Sequence, residues 1–295
     1  MKNASTTLAS TALDRAFASA RAARARVVFP ESHVPRVAAA MAVLRAEGLC
    51  QPLDLAAPSE AQIAALVQAR GIAPALAARM LAKPLIRAAA MVAAGEADAM
   101  VAGADAPTRR VIEAAGLAIG LAPGVTLPSS FFLMILPDGR ELILADCAVN
   151  LAPDAEGLAA IARASAASAT ALLGGARLAL LSYSTADSGV GPSVEVVRAA
   201  AQACGLSGPV QADAALNPRI AALKGVAGGD ANTLIFPSLD AGNIAYKLLQ
   251  ELAGAQAIGP FLQGFRRPVC DLSRGASMAD IVAATAVTVA LDTVR

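Results

Sequence analysis

The sequence has one histidine, no tryptophan and two tyrosines, and aromatics make up 3% of its 295 residues. So few rings leave little to stack against nucleic-acid bases. An excess of one charge is missing too. Lys and Arg number 24 against 23 Asp and Glu, for a formal net charge of +1. A nucleic-acid binder carries a basic face, and none is visible here. The four cysteines (Cys50, Cys147, Cys204, Cys270) lie far apart with no paired spacing. That argues against a zinc site and a disulfide framework, and it suits a reducing cytoplasm.

No apolar run reaches the roughly 18 to 20 residues that span a bilayer. The longest, Ile281 to Leu291, falls short and contains Thr. Residues Met1 to Arg26 lack the continuous apolar core of a secretory signal and read as an amphipathic first helix. Two phosphate-binding signatures are absent: no Gly-x-x-x-x-Gly-Lys-Ser/Thr loop occurs, and no Gly-x-Gly-x-x-Gly follows the first strand.

What is abundant is apolar. Hydrophobic residues make up 56% and charged residues 16%, and 76 of the residues are alanine. Such a chain buries enough surface to offset its entropy, so disorder is excluded. Its length predicts one large or two medium domains.

Short apolar runs alternate with helical patterns. Arg26 to Pro30 reads as a buried strand, Val34 to Glu47 as a helix and Pro52 to Ala56 as a second strand. Ser59-Glu60-Ala61-Gln62 has capping-box spacing, and Pro84 opens a helix to about Ala94. Asp98 to Ala102 is a strand and Thr108 to Ile119 a helix. Phe131–Leu136 and Glu141–Asp146, joined by Pro137-Asp138-Gly139-Arg140, form a hairpin signal. Helices follow at Asp154–Leu173, Ser193–Cys204 and Asp240–Ala253, with strands at Arg177–Ser182, Pro209–Ala212 and Thr233–Pro237. A strand ends near Cys270, and a long apolar helix, Ser277–Asp292, closes the chain. Strand–helix alternation means parallel strands with crossover helices, hence an α/β fold. The Pro/Gly stretch at 122–128 is the candidate boundary.

Few residues carry chemistry. His33 reads as a surface residue, so acid–base work falls to Asp, Glu, Lys, Tyr or Cys. Asp271-Leu272-Ser273-Arg274-Gly275, entering the last helix, offers a hydroxyl and a planar cation suited to phosphate. Asp280 sits one turn inside that helix. Ser277 and Asp280 also fit a capping box, and the residues alone leave both readings open. The small-residue loop around Tyr183-Ser184-Thr185 and Gly189-Val190-Gly191 is a second, weaker anion-binding pattern.

Together these segments resemble the phosphate acetyltransferase / phosphate butyryltransferase family nearly end to end. The resemblance is carried by Val27-Val28-Phe29-Pro30-Glu31, by Pro84 to Gly103, and by Ile119-Gly120-Leu121-Ala122-Pro123-Gly124-Val125. It continues through Ala145 to Asn150, Gly208 to Ala215, Ile235-Phe236-Pro237 and Ala241 to Lys247. Its most specific part is Gly259-Pro260-Phe261-Leu262-Gln263-Gly264, then Pro268-Val269 and Asp271-Leu272-Ser273-Arg274-Gly275.

The resemblance implies two α/β domains with mostly parallel sheets and an interdomain cleft. The expected division is 1–125, rejoined by the final helix at about 281–295, and 126–280. It also implies a homodimer and reversible transfer of an acetyl group between CoA and phosphate, with no metal and no tightly bound cofactor; the cytoplasmic expectation rests on the cysteine pattern. A self-complementary face is expected from the final helix and the apolar helices of the second domain. Ser273, Arg274 and Asp280 are the implied catalytic set. Ser182, Ser184, Thr185, Ser188, Asn243 and Lys247 are the implied substrate contacts. The chain departs from the family pattern at Ala82-Lys83, Glu113 and Glu251, where basic residues are usual, and has Ala186-Asp187 where a Gly is common. Those losses motivate an alternative, a non-catalytic acyl-CoA-binding relative. A preference for propionyl-CoA or butyryl-CoA is a further one.

Overall fold

Prolines and small polar side chains fix where many of the helices begin. The computed structural model describes residues 8–292. In chain order, α1 (Thr11–Ala23) is followed by β1 (Arg26–Val28), α2 (Pro35–Ala46), β2 (Gln51–Leu53) and α3 (Glu60–Arg70). Then come α4 (Pro74–Met80), α5 (Pro84–Ala93), β3 (Ala99–Ala102) and α6 (Thr108–Ala118). Pro opens α2, α4 and α5, where its missing N–H costs nothing. Ser59 caps α3 by accepting from Gln62 N, but the Gln62 side chain turns to Glu96, so only half of the capping box forms. The first helix occupies 11–23 of the expected 1–26; residues 1–7 lie outside the described residues.

The chain then builds the hairpin β4 (Ser129–Ile135) and β5 (Glu141–Ala145), in register Phe131↔Ala145. It continues through α7 (Ala155–Leu173), β6 (Leu178–Leu180), α8 (Pro192–Ala203), α9 (Ala212–Leu216), α10 (Pro218–Leu223), β7 (Thr233–Ile235) and α11 (Leu239–Ala253). Asp154 and Ser238 cap α7 and α11 through their side chains. Last come β8 (Gln256–Gln263), β9 (Val269–Asp271) and α12 (Met278–Asp292).

Two units result. Among the described residues, the first holds Thr11–Thr126 and 258–292; the second holds Leu8–Ser10 and Leu127–Ala257. In the first, strands run β2-β1-β3-β9-β8, parallel except for β8. In the second, β4-β5-β7-β6 are parallel beyond the β4–β5 hairpin. The return to the first unit therefore falls near 258, rather than about 281, because β9 pairs with β3.

Three further differences have local causes. Pro209–Ala212 forms only a single bridge, Leu181↔Val210, because Ala212 already starts α9. β8 hides behind Gly259 and Pro260, poor strand formers. α12 is buried from Ile281 to Ala290 against α1, α2, β3 and β9, so it offers no free face to a second copy.

Candidate active site

Residues that follow parallel strands gather at the strands' carboxyl edge, the usual ligand edge of an α/β sheet. In the first unit, β1, β3 and β9 lie side by side, with Val28↔Met100 and Ala102↔Asp271 in register. Their exits bring together Glu31, Gly103 to Ala106 and Asp271 to Arg274.

The exits are tied to one another. The Glu31 carboxylate, 7% exposed, accepts from the N–H groups of Ala104, Asp105 and Ala106 at 2.8, 2.9 and 2.7 Å. Leu272 N donates to Ala102 O at 2.6 Å. Arg36 of α2 donates through Nη2 to the carbonyls of Ala104 and Arg274. Gly103 has φ +98°, and a Cβ there would sit 2.8 Å from both N and O of Leu272. Only glycine accommodates that approach.

The turn held this way carries the expected catalytic set. Ser273 and Arg274 are exposed. Ser273 Oγ accepts from Gly275 N at 3.3 Å, and Ala276 N donates to Ser273 O at 2.9 Å. The Arg274 guanidinium has no ion pair among the described residues. Asp280 Oδ2 accepts from Ser277 N at 3.0 Å and from Ser277 Oγ at 2.7 Å, while Asp280 N donates to Ser277 Oγ at 3.2 Å. The capping box is therefore formed, and Asp280 stays half-buried, nine positions from the acid that ends β9. A hydroxyl, a guanidinium and a carboxylate thus share one turn and the helix start it feeds.

In the second unit, the hydroxyl loop leaves β6 at its carboxyl end. Its side chains mostly bond to the loop itself. Ser182 Oγ accepts from Ser184 N, Ser184 Oγ from Gly189 N at 2.9 Å, and Ser188 Oγ from Thr185 N at 2.9 Å. Thr185 Oγ1 pairs with Gln211, which also receives Lys224 Nζ at 2.9 Å. Of the four hydroxyl residues, Ser184 and Thr185 are buried and Ser188 is exposed. Asn243 donates to Cys147 O at 3.0 Å, and Lys247 is exposed over the Tyr246 ring, 4.9 Å from its centroid. The structure brings Ser273, Arg274 and Asp280 together in the first unit; Asn243 and Lys247 sit on α11 in the second.

Two of the departures from the family pattern are surface features. Glu113 pairs with Arg109 and Arg110 on the exposed side of α6, and Glu251 is exposed. Burial raises the thiols of Cys147 and Cys270, so neither is a ready nucleophile. Glu31, Arg36 and Asp271 are the residues of this site that chain spacing does not reveal. The available signal is position: Glu31 just after β1, Asp271 at the end of β9 and Arg36 in the first turn of α2.

Residues 58–289 match the phosphate acetyl/butaryl transferase family. The chain belongs to that family. It is 40% identical to a phosphate acetyltransferase of Paracoccus denitrificans, over 94% of this chain and 98% of that one. It is 38% identical to the Pseudomonas aeruginosa phosphate acetyltransferase over 91% of this chain, but it spans only 44% of that longer relative. A phosphotransacetylase from Streptococcus pyogenes superposes with a TM-score of 0.87 at 32% identity, covering 95% of this chain and 98% of the other. The two-unit, mostly parallel α/β architecture is therefore the family fold.

Proposed function

We propose that this family member catalyses reversible transfer of an acetyl group between CoA and inorganic phosphate. The observation that carries the reading is the turn of Ser273 and Arg274 running into the helix of Asp280, at the carboxyl edge of parallel strands. Written in the acetyl-phosphate-consuming direction, the CoA thiol gives its proton to the Asp280 carboxylate. The thiolate sulfur then bonds to the acetyl carbon, and the carbonyl oxygen takes up the charge. The Ser273 hydroxyl and N–H groups near the start of α12 stabilise that oxyanion. Collapse restores the carbonyl and breaks the bond to the phosphate oxygen. Phosphate leaves as an anion held by Arg274, whose planar donors suit it. The thiol, carbonyl and phosphate supply every bond, so no tightly bound cofactor is needed.

Contacts to the CoA substrate are assigned to Ser182, Ser184, Thr185, Ser188, Asn243 and Lys247. In support, the loop that carries the four hydroxyls follows a parallel strand of the second unit, and Lys247 is exposed. A homodimer is assigned through α11, where Ile244, Leu248 and Leu252 form an exposed apolar stripe at helical spacing. No single helix among the described residues is long and apolar enough to cross a membrane. The four unpaired cysteines suit a cytoplasmic location.

The test is thiol release from acetyl-CoA with and without phosphate. The reading expects phosphate-dependent release with acetyl phosphate as the second product. Binding of acetyl-CoA without turnover would contradict it.

A further inference from the structure

The carboxyl end of β9 holds a buried acid with no partner. Asp271 is 1% exposed, and neither of its carboxylate oxygens has a hydrogen-bond donor. Thr108, in the first turn of α6, lies near enough to favour the charge without reaching bonding geometry. Oδ1 rests against Gly103, where a Cβ would overlap it. Ser273 and Arg274 follow two and three residues later.

Nothing around it neutralises a charge. Glu31 contributes a like charge, and its own carboxylate is fixed by three backbone N–H groups. Of the nearby cations, Arg36 has its Nη2 committed to two carbonyls and its Nε buried without a partner, and Arg274 is exposed. Neighbouring β3 carries no charged residue. From α12, Thr285 and Thr288 donate to carbonyls of their own helix. The charged residues of α6, Arg109, Arg110 and Glu113, pair with one another on its exposed side. Burial, opposed by Thr108 and reinforced by Glu31, pushes the Asp271 carboxyl up to about 7.

We propose that Asp271 is a positioning residue that works as a neutral acid. Protonated, it seats against Gly103 and holds down the turn bearing Ser273 and Arg274. Ionised, with its proton lost to solvent, it leaves an unpaired charge beside Glu31 and is driven out of that seat, lifting the turn. Glu31 cannot yield in its place, because moving it would strip three N–H groups of their acceptor. The role in catalysis rests on the transferase reading; the displacement of the turn does not.

The test compares wild type, Asp271→Asn and Glu31→Gln between about pH 6 and about pH 8.5, the span over which this carboxyl titrates. One readout is amide hydrogen exchange of the 270–280 segment, corrected for intrinsic rates. The other is arsenate-dependent breakdown of acetyl-CoA. In wild type, protection of the turn is lost as pH rises through about 7. Asp271→Asn mimics the neutral acid, so it keeps protection throughout. Its activity relative to wild type rises with pH, approaching roughly tenfold per pH unit above the midpoint. Glu31→Gln keeps one acceptor oxygen for Asp105 and Ala106, gives up the bond from Ala104, removes the like charge and moves the midpoint to lower pH. An identical pH response in Asp271→Asn and wild type overturns the proposal, as does an unmoved midpoint in Glu31→Gln. If Asp271→Asn does not fold, the Glu31→Gln comparison decides alone. Wild type inactive at every pH would end the transferase reading, and the exchange data would still decide the role of Asp271.

Discussion

Arg36 and Arg274 stand 238 positions apart in the chain, yet Nη2 of the first donates to the main-chain carbonyl of the second at 3.1 Å. The same nitrogen donates to Ala104 O, so one guanidinium braces the exits of β3 and β9 together. Removing it in Arg36→Ala leaves both carbonyls without this donor, at about 1.5–3 kcal/mol for a charge-assisted bond. A loosened Arg274 turn raises KM for phosphate about tenfold or more, the equivalent of about 1.4 kcal/mol. Steady-state kinetics across a phosphate series check this, and an unchanged KM would remove Arg36 from the site.

Gly103 is predicted to be intolerant for a reason that distinguishes it from other glycines at positive φ. A Cβ at Gly103 meets backbone atoms of Leu272 at 2.8 Å, which no side-chain rotation relieves. At Gly95, φ is +74° and nothing lies within 4 Å. Gly95→Ala therefore costs about 1–2 kcal/mol from conformation alone. Gly103→Ala adds a steric displacement and costs more than about 3 kcal/mol. Urea midpoints of the two variants decide the order.

Asp271 also makes stability depend on pH. Its folded-state value is raised from 3.8 to about 7, so the folded protein holds a proton that the unfolded chain releases. Its contribution thus falls as pH rises from about 4 to about 7 and is flat above that. A rise of that size sets an upper limit of about 4 kcal/mol. Asp98 works in reverse. Its burial is outweighed by hydrogen bonds and charge from Arg26, which hold it low, and its contribution is lost in acid. Because Asp271→Asn leaves Asp98 untouched, the difference between the two unfolding curves isolates Asp271. The variant is expected to be the more stable protein above neutrality, and equal stability at every pH would contradict this.

Much of the fold is legible because local chemistry announces it. Pro84 starts α5, Ser59 caps α3 and Asp154 caps α7 where spacing predicts. Local signals fail where they conflict with tertiary pairing. Gly259 and Pro260 hide β8, and Val210 makes a single bridge before α9 takes over. The Ser273–Arg274–Asp280 set is legible because it is contiguous. Glu31 and Arg36 are not, nor is the burial of Asp271 beside Gly103 and Glu31, because these depend on β1, β3 and β9 lying side by side, and strand order is not written in sequence spacing.

The most direct test is arsenate-dependent breakdown of acetyl-CoA by Asp280→Asn. An amide oxygen can still accept from Ser277 N and Oγ, so the start of α12 and the fold are preserved, while the proton acceptor is removed. Loss of a general base typically costs roughly 10²–10⁴-fold. The account predicts a folded variant with melting near wild type and turnover reduced on that scale. A folded Asp280→Asn protein as active as wild type would contradict it.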